Sequence, residues 1–183
     1  MAQIKLAGNP INTNGELPKK GSKAPNATLV KKNLEEASIN DYQGKTIILN
    51  IFPSLDTSVC ATSVRKFNKI VSEKPNTIVL AISKDLPFAM ERFCSTEGIE
   101  NVIPLSAFRS EEFSDEYGIE IIDGPLKGLL ARSVVVIDDN GNIIYEELVP
   151  EITQEPNYDA VISIIEEKPK GLIDEKSCKS CGK

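Results

Sequence analysis

No histidine occurs anywhere in the 183 residues. Its absence removes Ser-His-Asp and Cys-His catalysis, and with them the commonest zinc ligand. Also missing is any basic stripe interleaved with aromatics, and a formal charge of −6 argues further against a nucleic-acid partner. The opening segment, Met1 to Pro10, lacks the apolar core of a secretory signal, and no apolar run approaches membrane-spanning length. These absences predict a cytoplasmic chain with no membrane partner. The apolar and charged fractions are ordinary, and nothing marks a boundary between two buried cores.

What the chain does contain is four cysteines, Cys60, Cys94, Cys178 and Cys181. In a cytoplasmic protein such thiols read as redox-active or metal-binding rather than as structural staples. Without imidazole, a reactive one must draw on a helix terminus, a hydroxyl or an arginine. Cys60 is the best placed. Thr46 to Phe52 (TIILNIF) is rich in β-branched and aromatic residues and reads as a buried strand, which Pro53 stops for want of an N–H. Asp56 or Thr57 then caps a helix running through Val64 to Ile70, so Cys60 falls in its first turn. Free backbone N–H groups and the positive end of the helix dipole there favour a thiolate.

The rest of the chain alternates. Short β-prone pieces around Gly8-Asn9-Pro10 and Asn14-Gly15 predict an N-terminal hairpin, Thr28 to Val30 a strand, and Asn33 to Tyr42 a polar connection with one helical turn. Thr77 to Ser83 (TIVLAIS) is a second central strand. Asp85-Leu86-Pro87 opens a helix carrying Phe88, Met90, Phe93 and Cys94, with proline suited to its first turn. Val102 to Ser106 predicts a strand and Glu111 to Tyr117 a helix. Ser133 to Ile137 and Ile143 to Leu148 form a hairpin around Asp138-Asp139-Asn140-Gly141-Asn142. A last helix over Asn157 to Glu166 puts Tyr158, Val161, Ile162 and Ile165 on one face. The sum is one mixed-sheet α/β domain over residues 1–166. Residues 167–183 read as a flexible tail carrying a Cys178-x-x-Cys181 pair.

On residue chemistry alone, bland readings compete with reactive ones. A lone cysteine is more often a buried small hydrophobe than a nucleophile, which applies to Cys60 and more strongly to Cys94 beside Phe93. Arg132 just before a strand is usually a solvated charge. The Cys178/Cys181 pair is a weak zinc signal without a histidine or a second pair. It reads either as thiols without a dedicated role or as a relay exchanging electrons with another disulfide.

The stretch Asp56-Thr57-Ser58-Val59-Cys60-Ala61-Thr62-Ser63-Val64-Arg65-Lys66-Phe67-Asn68 closely resembles bacterial thiol peroxidases, the atypical two-cysteine branch of the peroxiredoxins. Gly8-Asn9-Pro10, Asp85-Leu86-Pro87-Phe88-Ala89, Arg92-Phe93-Cys94 and Asp123 to Arg132 resemble the same family in the same order. The resemblance covers roughly residues 3 to 166. It implies a thioredoxin-like mixed sheet flanked by helices, with an N-terminal β-hairpin extension. It further implies reduction of hydrogen peroxide and organic hydroperoxides, alkyl ones preferred, with no metal or organic cofactor. By motif position Cys60 would be the peroxidatic cysteine and Cys94 the resolving one. Pro53, Thr57 and Cys60 reproduce the Pro-x-x-x-Thr-x-x-Cys signature, and Arg132 matches the active-site arginine. The family also implies a Cys60–Cys94 disulfide closed through local unfolding, thioredoxin as reductant, and a homodimer. The rival reading is a redox sensor or thiol–disulfide exchange protein with little peroxidase turnover. An exchange protein would want a second cysteine three residues after Cys60, where Ser63 stands.

Overall fold

Apolar runs without alternation, such as TIILNI and TIVLAIS, have no polar face to give to water and must be covered on both sides. The computed structural model, which describes residues 1–167, places them side by side at the centre of a seven-stranded sheet. The strands are β1 (Gln3–Leu6), β2 (Asn9–Asn12), β3 (Thr28–Lys31), β4 (Glu36–Ser38), β5 (Thr46–Ile51), β6 (Thr77–Ser83), β7 (Val102–Ser106), β8 (Ser133–Ile137) and β9 (Ile143–Leu148). The helices are α1 (Ser58–Ser72), α2 (Pro87–Glu97), α3 (Glu111–Tyr117) and α4 (Tyr158–Glu166). The sheet order is β4-β3-β7-β6-β5-β8-β9, with β5, β6 and β7 parallel and the outer pairings antiparallel. The mixed sheet flanked by helices, with its separate β1–β2 hairpin, agrees with the sequence expectation.

Alternation along β5 divides the core. Ile47, Leu49 and Ile51 pack with Leu80, Leu105, Phe113 and Tyr117 on one face. Ile48 and Phe52 pack on the other with Val64 and Phe67 of α1, Met90 of α2 and Val161 of α4. Burying each such side chain contributes about 1.5–3 kcal/mol, so neither face is expendable. Both α1 and α2 begin where a parallel strand ends, which places their N-termini at one edge of the sheet.

One expectation needs correction. The polar connection over Asn33 to Tyr42 contains a short edge strand, β4, and a 3-10 turn over Ile39–Tyr42. Three residues are too few to show a period. Pairing with β3 and the burial of Ala37 make the strand. The Cys178/Cys181 tail lies outside the described residues.

The β1–β2 hairpin is not a loose appendage. Ile4 and Ile11 pack on Ile121, Ala131 and Ile152, and Lys5 exchanges backbone bonds with Pro150 and Ile152. Glu151 completes the junction, accepting from the N–H groups of Ala7 (3.0 Å) and Gly8 (2.9 Å) at the hairpin turn. The bond from Gly8, with others from Thr153 and Ala7, holds the Glu151 carboxyl at about 2, against an ordinary 4.5. A depressed folded-state pKa means the contribution is complete above about pH 4.5 and drains away as the pH falls toward about 2. Glu151→Gln is therefore expected to lower the melting temperature at pH 7, with the gap to wild type closing between pH 4.5 and 2. A gap that stays constant down to pH 2 would contradict the assignment.

Candidate active site

The chain leaves β5 through a tight turn, and a row of hydrogen bonds shapes it. Pro53 is buried in this turn and offers no N–H. Thr57 donates its N–H (3.2 Å) to the Ser54 carbonyl, which its hydroxyl also reaches (3.1 Å). Thr57 is the N-cap of α1, and its Oγ1 accepts from the Cys60 N–H at 3.4 Å. The same hydroxyl lies 2.6 Å from the Cys60 sulfur. It has one proton to give, either to the sulfur or to the Ser54 carbonyl, and a lone pair left for another donor.

Cys60 is 0% exposed, among Ile48, Phe52, Leu55 and Val64. Packing alone does not describe it, because Arg132 is also buried (2% exposed) and places Nη2 3.3 Å from the sulfur. The guanidinium is held by its Nε, which donates to the Ile152 carbonyl at 2.9 Å. Among the described residues Arg132 makes no ion pair with a carboxylate. Its Nη1 is buried without a hydrogen-bond partner there. A buried cation costs several kcal/mol unless an anion faces it. A sulfur anion at Cys60 answers that need, so the site is built for negative charge on this sulfur and on oxygens beside it.

Several supporting residues gave no signal in the sequence. Asn50, pointing from β5 toward α1, donates to Ser63 (3.2 Å), which donates to the Cys60 carbonyl (2.8 Å). Tyr158 stacks edge-on against Phe67, and its buried hydroxyl has no partner among the described residues. Burial, then Glu155, raises its pKa. Arg132 acts in the opposite sense and Cys60 adds to the rise, which puts the phenol within electrostatic reach of the site.

Cys94 is placed elsewhere. It opens the last turn of α2, and its carbonyl accepts from Gly98, whose left-handed φ of 64° ends the helix. Its side chain lines a cavity of about 470 Å³ with Lys31, Lys32, Ile99, Val102 and Pro104, on the β7 and β3 side of the sheet. Burial pushes the Cys94 thiol up, with Lys32 partly offsetting it. Both thiols are free. Cys60 packs with Ile48, Phe52 and Val64, whereas Cys94 lines a separate cavity, and no contact joins the two sulfurs. Thus Thr57, Cys60 and Arg132 meet, Pro53 lines the turn, and Cys94 stands off. Among the described residues no group of His, Cys, Asp or Glu is arranged to hold a metal ion, and no helix is long and apolar enough to cross a membrane.

Comparison with known proteins gives the relatives of the chain. A family model described as Redoxin matches residues 19–162. The thiol peroxidase of Mycobacterium tuberculosis is 56% identical over 165 residues, covering 90% of this chain and 99% of that protein. A crystal structure of a peroxiredoxin-like protein from Aquifex aeolicus superposes with a TM-score of 0.86 at 42% identity, covering 91% of this chain and 97% of the other. Thiol peroxidase from Chromobacterium violaceum shares the fold, with a TM-score of 0.84 at 20% identity over 91% of this chain and 97% of its own.

Proposed function

The chain belongs to the redoxin family, among the thioredoxin-fold thiol peroxidases, and from that premise we propose how its own residues carry the reaction. Cys60, as the thiolate, attacks one oxygen of a hydroperoxide. The S–O bond forms as the O–O bond breaks, the leaving oxygen takes a proton to become alcohol or water, and Cys60 becomes a sulfenic acid. Arg132 stabilises charge on the sulfur and on the leaving oxygen, Thr57 fixes the line of attack through its single hydroxyl, and Pro53 shields the turn. The observation that carries this reading is the buried Arg132 guanidinium beside the buried Cys60 sulfur, with no carboxylate paired to it among the described residues.

Cys94 resolves the sulfenic acid in the second step: its sulfur bonds to that of Cys60, and the hydroxyl leaves as water. In this reading the first turn of α1 and the last turns of α2 open so that the two sulfurs meet. Opening also releases the Cys94 thiol from the burial that holds its proton, making it a better nucleophile. A thioredoxin-type dithiol then returns two electrons by exchange. Oxidation with one equivalent of hydroperoxide is expected to give a Cys60–Cys94 disulfide and faster hydrogen exchange at residues 57–64 and 88–98 than in the reduced protein. Identical exchange maps in the two states would sink the unfolding step.

The working unit in this reading is the domain over residues 1–166, in the cytoplasm and as a homodimer. Leu86, Phe88 and Phe108 support the dimer. They are exposed and follow the C-terminal ends of the neighbouring strands β6 and β7, where Ser83 pairs with Ser106. An apolar patch of this kind marks an interaction surface. Sedimentation should give twice the chain mass, and a single-chain mass would contradict it.

A further inference from the structure

One carboxylate ties the Cys60 turn to the helix that carries Cys94. Asp85 lies between β6 and α2, two residues before Pro87. Its Oδ1 accepts from the Ser54 hydroxyl at 2.7 Å. Its Oδ2 accepts from the Leu55 N–H and the Ser83 hydroxyl, both at 2.7 Å. The Asp85 N–H donates back to Ser83 (3.2 Å), and its carbonyl accepts from the Ser106 hydroxyl. Ser54 is the residue whose carbonyl holds Thr57, and Thr57 holds the Cys60 sulfur. A continuous run of hydrogen bonds therefore links Asp85 through Ser54 and Thr57 to Cys60.

On its other side Asp85 leads directly into α2, whose first turn is seated by the buried Pro87 and Met90. The N-cap of α2 is Leu86, which has no side-chain acceptor for the first free N–H groups, and Phe88 beside it is 64% exposed. Two of the donors on the carboxylate come from the Cys60 turn and the third from the end of β6. Losing the carboxylate would untie the Cys60 turn from the residue that leads into α2.

We infer that Asp85 is a positioning residue that latches the Cys60 turn to the start of the Cys94 helix, setting the balance between peroxide attack and disulfide closure. While the latch is closed, Thr57 and the sulfur are aligned for attack. When it opens, α1 and α2 unwind as one unit and the two sulfurs can meet. The inference rests on the proposed roles of Cys60 and Cys94 and names the residue that couples their motions.

The test compares Asp85→Asn with Ser54→Ala and Ser83→Ala. The amide of Asn can accept at only one of its two ends, so one charge-assisted arm is lost with little change in volume. Ser54→Ala cuts the latch on the Cys60 side alone. Ser83→Ala removes a donor that does not reach that turn and serves as the control for general loosening. In Asp85→Asn and Ser54→Ala, sulfenic acid formation is expected to slow and disulfide closure to quicken. Their ratio should shift on the order of tenfold to a hundredfold, the scale of one hydrogen bond to a charged group. In the reduced Asp85→Asn protein, hydrogen exchange should rise at residues 54–62 and 86–95 together. An unchanged ratio, the same shift in Ser83→Ala, or exchange that rises at only one of the two segments would overturn the latch. Failure of the wild type to close a Cys60–Cys94 disulfide would count against the proposed function instead, and the reduced-state exchange map would still decide the coupling.

Discussion

Cys60→Ser is expected to abolish hydroperoxide reduction while leaving the fold in place. The serine hydroxyl can receive the bonds from Thr57 and Arg132 that the sulfur receives, and it fits the same buried space. It cannot be oxidised to a sulfenic acid, so no first step remains. The loss should approach the uncatalysed rate, a fall on the order of 10⁶-fold on the usual scale of enzymic acceleration. Stopped-flow consumption of a hydroperoxide, with circular dichroism to verify the fold, measures both. Stability adds a second signature. A neutral hydroxyl leaves the Arg132 charge without its anion, and breaking a buried pair from one side costs about 3–5 kcal/mol. Cys60→Ser should therefore melt lower than wild type although it is nearly isosteric. An unchanged rate would remove Cys60 from the mechanism, and an unchanged melting temperature would remove the thiolate as the counter-ion of Arg132.

Arg132→Met carries the second largest effect, on rate and stability alike. Methionine retains much of the arginine's length and fills the buried space without charge. The rate of Cys60 oxidation should fall by about 10²–10³-fold, the usual effect of deleting one donor aimed at developing charge. Stability should fall as it does in Cys60→Ser, because removing either partner of a buried pair alone costs about 3–5 kcal/mol. Combined with Cys60→Ser, Arg132→Met should restore the melting temperature that Cys60→Ser alone loses. Two losses that simply add would mean the guanidinium and the sulfur do not share a charge.

The parts of this site legible in the sequence are those made by near neighbours. An apolar run, Pro53 and the Thr57 cap lie within a few residues of Cys60, and the local rules for strands and N-caps place the sulfur in the first turn of α1. Strands β6 and β8 were equally readable because their apolar, β-branched-rich runs are continuous and their flanking turns distinct. Strand β4 was not, since three residues on an edge carry no period. Arg132 illustrates a deeper limit. A charge before a strand is normally solvated, and this one is buried because the β1–β2 hairpin covers Ala131 and Ile152 from the far end of the chain. The family motif pointed to Arg132, but composition and spacing could not have. Asp85 was visible only as part of a motif, since its partners Ser54 and Leu55 lie about thirty residues away.

The central claim, that peroxide oxidises Cys60 first and Cys94 only closes the disulfide, is tested most directly by trapping the intermediate. Cys94→Ser treated with one equivalent of hydroperoxide and a sulfenic-acid-specific reagent should carry a single adduct, mapped by mass spectrometry to Cys60. An adduct on another cysteine, or a disulfide formed with no adduct at all, would contradict the account.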